Sequence, residues 1–166
     1  MKKIALISDT HGYLDTRLIS HLEGSDEIWH AGDIGTKEVA DRLSSLKPVR
    51  AVYGNIDGYP LRNMFPEDLH FTCEEITVWI RHIGGYPGHY EKGVQAKLEQ
   101  NAPKLFICGH SHILKVIYDD NFHLLHINPG AAGKYGFQTV QTLVKFCIDA
   151  DKITNLEIVE LIKEIV

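Results

Sequence analysis

Seven residues of metal-ligand type recur at matching places along the chain: Asp9, His11, Asp33, Asn55, His82, His110 and His112. Each closes a short apolar run. Asp9 and His11 follow Ile4-Ala5-Leu6-Ile7-Ser8, Asp33 follows Glu27 to Gly32, and Asn55 follows Val49 to Gly54. His82 ends the run from Ile76, while His110 and His112 follow Leu105-Phe106-Ile107-Cys108-Gly109. In an extended segment residues i and i+2 point the same way, so Asp9 and His11 can grip one cation. Seven ligands exceed the needs of one ion and suit two. Carboxylate, amide oxygen and imidazole together suit Mn, Fe, Zn, Ni or Co better than Ca or Mg. One carboxylate can bridge two ions. Two ions roughly 3.5–4 Å apart can activate a bridging water and clamp the attacking and leaving oxygens of a phosphoryl transfer.

These residues need elements to position them. The apolar runs read as buried strands, and ligands gather at the C-terminal ends of strands in open α/β sheets. If the strands share one layer, the tips converge. Between the first two strands, Leu14, Leu18, Ile19 and Leu22 have helical spacing over Leu14 to Glu23, stopped by Gly24. Thr36 can cap a helix through Leu46 with Val39, Ala40 and Leu43 inward. Strand and helix alternate through this half, which is the rhythm of a parallel sheet. Tyr59 to Asp68, with Pro60 and Pro66, reads as a loop. Leu69–Cys73 and Ile76–Ile83 read as a hairpin turning at Glu74-Glu75, and Glu91–Asn101 as a helix. The remainder reads as β: Leu114–Tyr118, Phe122–Ile127, Thr139–Ile148 and Ile153–Leu161.

The chain has 166 residues, 44% hydrophobic and 23% charged, which suits one well-buried domain over 1–166. The net charge of −5 argues against a nucleic-acid partner held by bulk charge. No apolar run reaches transmembrane length and none reads as a signal peptide. Cys73, Cys108 and Cys147 are an odd number without CxxC spacing, the pattern of buried free thiols in a reducing compartment. A cytoplasmic location is the expectation.

The blocks Asp9-Thr10-His11, Gly32-Asp33, Gly54-Asn55, His82 and Gly109-His110-Ser111-His112, in that order and at intervals of 24, 22, 27 and 28 residues, resemble the calcineurin-like metallophosphoesterases. The compact bacterial and archaeal phosphodiesterase branch is the better match, and Ile127-Asn128-Pro129-Gly130 resembles a turn of that branch. The resemblance implies a four-layer αββα sandwich of two mixed β-sheets flanked by helices. It implies two divalent ions, Mn²⁺ foremost, with Asp9, His11 and His112 on the first, Asn55, His82 and His110 on the second, and Asp33 bridging. The implied reaction is hydrolysis of a small phosphate ester by a metal-bridging hydroxide, with Asp33, Asn55 and His82 at the reacting centre.

Two departures from the family pattern stand out. The family often has His after Gly-Asn, where it stabilises the phosphate or protonates the leaving group; here the residue is Ile56. His89, in the glycine-rich loop Gly84 to His89, is the candidate substitute. Ile83 separates His82 from Gly84, which changes the loop beside it. No arginine stands in a recognisable phosphate-clamping motif, which favours a singly charged diester over a monoester. Two alternatives remain: a small-metabolite phosphomonoesterase, and a non-catalytic interaction scaffold like the retromer subunit that resembles this family. A homodimer is compatible with the β-rich second half. Of the other histidines, His30 reads as a core or supporting residue, and His21, His70 and His123 as surface or packing residues. His126 is open between packing and support of the site. Asp57 reads as a support for the Asn55 loop, and Cys108 as a buried thiol rather than a nucleophile.

Overall fold

The computed structural model describes residues 1–164. Strands β1 (Lys2–Ile7), β2 (Glu27–His30) and β3 (Val49–Ala51) run parallel, with α1 (Ile19–Glu23) and α2 (Lys37–Leu46) between them. A short α3 (Leu61–Met64) leads into the hairpin β4 (Asp68–Cys73) and β5 (Ile76–Arg81), then α4 (Lys92–Asn101) and β6 (Leu105–Ile107). Two further hairpins follow: β7 (Leu114–Asp119) with β8 (Leu124–Pro129), and β9 (Val140–Asp149) with β10 (Lys152–Ile162). The strands form two mixed five-stranded sheets, ordered β10-β9-β1-β2-β3 and β4-β5-β6-β8-β7.

The sequence pattern explains this layering. β1 is buried on both faces. Ile4 and Leu6 alternate with Ala5 and Ile7, and the two pairs enter different cores. The first pair meets Trp29, Val52, Val78, Ile80, Ile107 and Phe146 between the sheets. The second meets Leu18, Leu22, Val39 and Leu43 from the helices. On the other side α4 lays Val94 and Leu98 on Trp79 and Phe106. The result is the expected four-layer αββα sandwich.

The elements depart from expectation at their ends. The helix expected from Leu14 begins only at Ile19, after one 3₁₀ turn over Thr16–Leu18. Asp15 causes this: its carboxylate accepts the Arg17 N–H and caps that turn, so Leu14 stays outside. The stretch expected as loop from Tyr59 holds α3. β2 stops at His30, because Gly32 and Asp33 both take positive φ. The three cysteines are buried free thiols. No helix among the described residues is long and apolar enough to cross a membrane.

At the far end of β2 from these turns, Glu27 is a buried charge. Its carboxylate accepts from the Lys2 ammonium at 3.0 Å, the Trp29 indole N–H at 3.0 Å and the Arg50 guanidinium at 2.9 Å. Burial pushes its pKa up, but these donors outweigh burial and bring it down to about 2. Glu27→Gln should lower stability at pH 7 by about 1–3 kcal/mol, read by urea titration. A depressed carboxylate stabilises fully above its ordinary value of 4.5 and loses that contribution as pH falls through about 2. The gap between wild type and variant should therefore close across that window; a gap independent of pH would contradict the ion-pair account.

Candidate metal centre

The seven residues follow the C-terminal ends of five strands, but not in one layer. Asp9, His11, Asp33 and Asn55 follow β1, β2 and β3 of one sheet, whereas His82, His110 and His112 follow β5 and β6 of the other. They meet at the open edge between the sheets. Backbone bonds carry each sheet's pairing past its last strand residue and fix the turns. The N–H groups of Asp9, His11 and Gly12 donate to the carbonyls of Gly32, Asp33 and Ile34 at 2.8–3.0 Å, and the Gly109 N–H donates to the His82 carbonyl at 3.0 Å.

The turns are tight. Asp9, His11, Asp33, His110 and His112 all have φ between 46° and 71°. That left-handed region is costly for non-glycine residues and clusters at functional sites. Glycine admits the approach of the other loops. A Cβ on Gly109 would sit 2.8 Å from Asp9 Oδ2, and one on Gly54 would run into the Asp33 carboxylate.

Each buried carboxylate has one oxygen occupied and one presented. Asp9 Oδ2 accepts from the Ser8 hydroxyl at 2.6 Å and the His110 N–H at 3.1 Å. Asp9 Oδ1 faces His112 Nε2 at 3.1 Å, His11 Nε2 at 3.6 Å and His82 Nε2 at 3.9 Å. Asp33 Oδ1 accepts from the Ile56 N–H at 3.1 Å, while Oδ2 lies 3.1 Å from His82 Nε2 and 3.5 Å from His11 Nε2. Two groups of ligand atoms result, Asp9 with His11 and His112, and Asp33 with His82 and His110. Asp33 Oδ2 reaches an imidazole of each.

Two of the imidazoles are oriented through their other nitrogen. A carbonyl oxygen only accepts, so His82 Nδ1 is the protonated nitrogen, donating to the Ala31 carbonyl at 2.7 Å. His112 Nδ1 donates to Gln138 Oε1 at 3.2 Å. His110 Nδ1 lies 3.1 Å from Asn55 Oδ1, close enough for both atoms to face one cation. The Nε2 lone pairs of His82 and His112 are thereby left for a cation. Asp9 Oδ1, His11 Nε2 and His82 Nε2 are buried without an aligned hydrogen bond. Such orphaned atoms are costly, and a divalent ion between them removes the cost. The donor set fits one.

The electrostatics agree. Burial raises the Asp9 pKa, yet the His11 and His112 imidazoles beside it hold it well below the usual carboxylate range. Asp33 is likewise lowered against burial by His82. Burial lowers His82, but Asp33 and Asp9 prevail and raise it; Asp9 raises His112. The pocket selects positive charge.

His30 is fully buried. Its Nδ1 accepts the Gly32 N–H and its Nε2 pairs with the Thr10 hydroxyl, so both nitrogens are used in holding turns. Burial pushes its pKa down to about 4. Asp57 supports the Asn55 loop, accepting the N–H groups of Ile34, Gly35 and Gly54. His126 packs among aromatic rings, between Phe106 and Tyr90. His89 belongs to neither ligand group; it packs on Tyr86 and lines a small cavity that touches His110. Asn128 donates to the Gly109 carbonyl and the Ser111 hydroxyl and so braces the His110–His112 loop.

Sequence reasoning missed three contributors. Arg62 and Arg81 line a cavity of about 460 Å³ with Asn55 and His82, although no motif marks them. Arg81 is committed to Asp68 and Glu67, whereas Arg62 lies over the Tyr53 ring and donates to the Asp57 carbonyl. Gln138 orients His112 from 26 residues away. The signal for that loop was its composition, aromatic residues between glycines at Gly133-Lys134-Tyr135-Gly136-Phe137.

Residues 1–151 match the family model of the calcineurin-like phosphoesterase superfamily domain. The chain belongs to that superfamily. A probable metallophosphoesterase of Methanocaldococcus jannaschii is 31% identical over 137 residues, spanning 77% of this chain and 67% of the relative. One from Mycoplasma pneumoniae is 32% identical over 139 residues, 79% of each chain. In structure, an archaeal phosphodiesterase superposes with a TM-score of 0.72 at 21% identity over 96% of this chain and 99% of its own. Vps29 from Entamoeba histolytica, in its Zn²⁺ complex, gives 0.75 at 16% identity over 96% and 98%. At these identities the two structures share the fold.

Metal that binds only the folded state stabilises it by mass action. Adding Mn²⁺ to chelator-treated protein should therefore raise Tm. Gly54→Ala, which pushes on Asp33, and Asp33→Asn, which keeps its shape, should both abolish the rise while circular dichroism stays native. A full rise in both variants would dissociate Asp33 from metal binding.

Proposed function

We propose that this protein is a dinuclear, metal-dependent phosphodiesterase. The observation that carries the reading is the complete set of ligand atoms in two groups with the Asp33 carboxylate reaching both. We assign Asp9, His11 and His112 to one ion, Asn55, His82 and His110 to the other, and Asp33 to both. Two bound divalent ions, Mn²⁺ first, with Ni²⁺, Fe, Zn²⁺ and Co²⁺ as alternatives, supply charge neutralisation of the phosphate and acidify water. The residues of the chain do the rest. Asp33 and His82, buried and hydrogen-bonded, hold the centre rigid, and Asn55, exposed at its rim, meets the substrate. Arg62 offers a guanidinium on the adjoining cavity.

Arg62 is one guanidinium without a carboxylate partner among the described residues, whereas the Arg81 charge is balanced. With Lys92 and the carboxylates of Glu67 and Glu91 on the same cavity, the cavity's net charge is small, which matches a singly charged diester better than a doubly charged monoester. The fold of the archaeal phosphodiesterase supports the same choice. The competing reading is a protein-interaction scaffold on this fold, which the intact ligand set disfavours.

Chelator-stripped protein should hydrolyse bis-p-nitrophenyl phosphate only after Mn²⁺ is added, and faster than the matching monoester. Asp33→Ala and His82→Ala should each lower kcat/KM by about 10²-fold or more. Full activity in either variant would sink the assignment. Folded, metal-loaded protein inactive on both esters would move the reading to the scaffold.

Ile56 sits half-exposed beside Asp33 and has no proton to give. A general acid there contributes about 10²–10⁴-fold. Ile56→His should therefore speed hydrolysis of phenyl esters, whose leaving group is poor, far more than of p-nitrophenyl esters. If His89 protonates the leaving group in the native protein, His89→Ala should slow phenyl esters selectively; equal slowing of both esters would end that role.

A further inference from the structure

Beside the candidate metal centre lies a second cavity of about 670 Å³, and its wall is apolar. His11, Asp33, Asn55, His110 and His112 form its floor. Ile56, Ile113, Tyr135 and Phe137 form its sides, 49%, 57%, 69% and 107% exposed. Large apolar side chains concentrated in one cleft mark a ligand site. The volume falls within the range of small-molecule clefts, about 300–1,000 Å³.

The loop that carries the aromatics is braced. The Gly133 N–H donates to the Asp9 carbonyl, Gln138 bonds both His112 and the Tyr135 carbonyl, and the Lys163 ammonium donates to the Gly136 carbonyl. One face of Tyr135 stacks on the His11 ring, centroids 4.8 Å apart and planes 24° apart. Its other face is open. A flat wall fixed against a ligand of the first ion group, with a free phenyl ring nearby, suits a planar π-system better than a flexible chain.

We infer that this cavity is a nucleobase subsite and that the substrate is a small phosphodiester with a nucleoside on one ester arm. The inference rests on the phosphodiesterase reading above. With the phosphate at the metal centre, the base would stack on Tyr135 and Phe137. The second arm would enter the cavity of Arg62, which meets this one at Asn55. The net charge of −5 disfavours a long polyanion and keeps the substrate small.

The test compares two diesters with one leaving group, p-nitrophenyl thymidine 5′-phosphate and methyl p-nitrophenyl phosphate. In each, water adds to phosphorus and p-nitrophenolate departs, so only the retained arm differs. The Mn²⁺-loaded protein should favour the nucleoside ester by about tenfold in kcat/KM, mostly through KM. Phe137→Ala and Tyr135→Ala should each reduce that ratio severalfold. Calorimetry gives an independent readout: thymidine 5′-monophosphate should bind about tenfold tighter than deoxyribose 5-phosphate, and the variants should lose the difference. Turnover of the methyl ester with a ratio near one, or a ratio retained in both variants, would overturn the subsite. Failure to hydrolyse either ester would instead strike the phosphodiesterase reading, and equal binding of the two monophosphates would still refute the base subsite.

Discussion

Two carboxylates are held at the edge of a protein core with one oxygen each left bare. Asp9 is wholly buried and Asp33 nearly so. Two unit charges 4 Å apart interact by about 4 kcal/mol at an effective dielectric constant of 20, so neither carboxylate is indifferent to its neighbours. The chain answers with three imidazoles close by and with N–H and O–H donors on the opposite oxygens. This arrangement stabilises the anions without consuming the oxygens that face inward. Much of the local structure serves it: the left-handed turns, the glycines where loops touch, and the carbonyl and amide acceptors that fix His82 and His112.

The two-sheet architecture makes such a site possible. A single parallel sheet would set its strand ends in a row, about 4.8 Å apart. Ligands from five successive strands would then span too wide a line for two ions. Splitting them between facing sheets folds the row in half, so β1 and β2 confront β5 and β6 across the sandwich. The hydrogen bond from His82 to the Ala31 carbonyl joins one half to the other. The inter-sheet core, with Trp29, Ile80 and Ile107 fully buried, therefore sets the distance between the ligand groups. A void there would be felt at the site, since close-packed interiors transmit small changes of volume.

The candidate ligands were legible because carboxylate and imidazole residues recur in order at strand ends, and the structure brings them together. The strands were legible because runs such as Ile4–Ile7 and Leu105–Ile107 are apolar without interruption. The partition into two sheets was legible only through the family resemblance, since a buried parallel strand looks alike in either. Positive φ at Asp9 or His110 left no mark either: tertiary contacts impose it, and no local glycine signals it. Arg62 and Gln138 escaped for a related reason. Gln138 reaches His112 through a hydrogen bond across 26 residues, which spacing cannot report, and Arg62 stands in no motif although it shares a cavity with Asn55. The N-terminal helix was overextended because Leu14 fits the helical period while Asp15, beside it, dictates where the turn begins.

The asymmetry around the centre is informative in its own right. On one side the rim is charged, with Arg62, Arg81 and Lys92 beside Glu67 and Glu91; on the other it is apolar and aromatic. A symmetric small ester would need neither wall. Ile56 belongs to the apolar side, and its position beside Asp33 leaves its backbone N–H as the group it offers there. Replacing an acid with an isoleucine sacrifices proton transfer but extends the apolar wall to the reacting centre. Under the proposed phosphodiesterase reading, that exchange would suit a substrate whose leaving group departs without help and whose retained arm needs firm placement. Binding energy from a remote arm can lower the barrier only if the arm is held rigidly relative to the phosphate. The bond between Gln138 and His112 would provide that rigidity, because the loop that would hold the arm is the loop that orients His112.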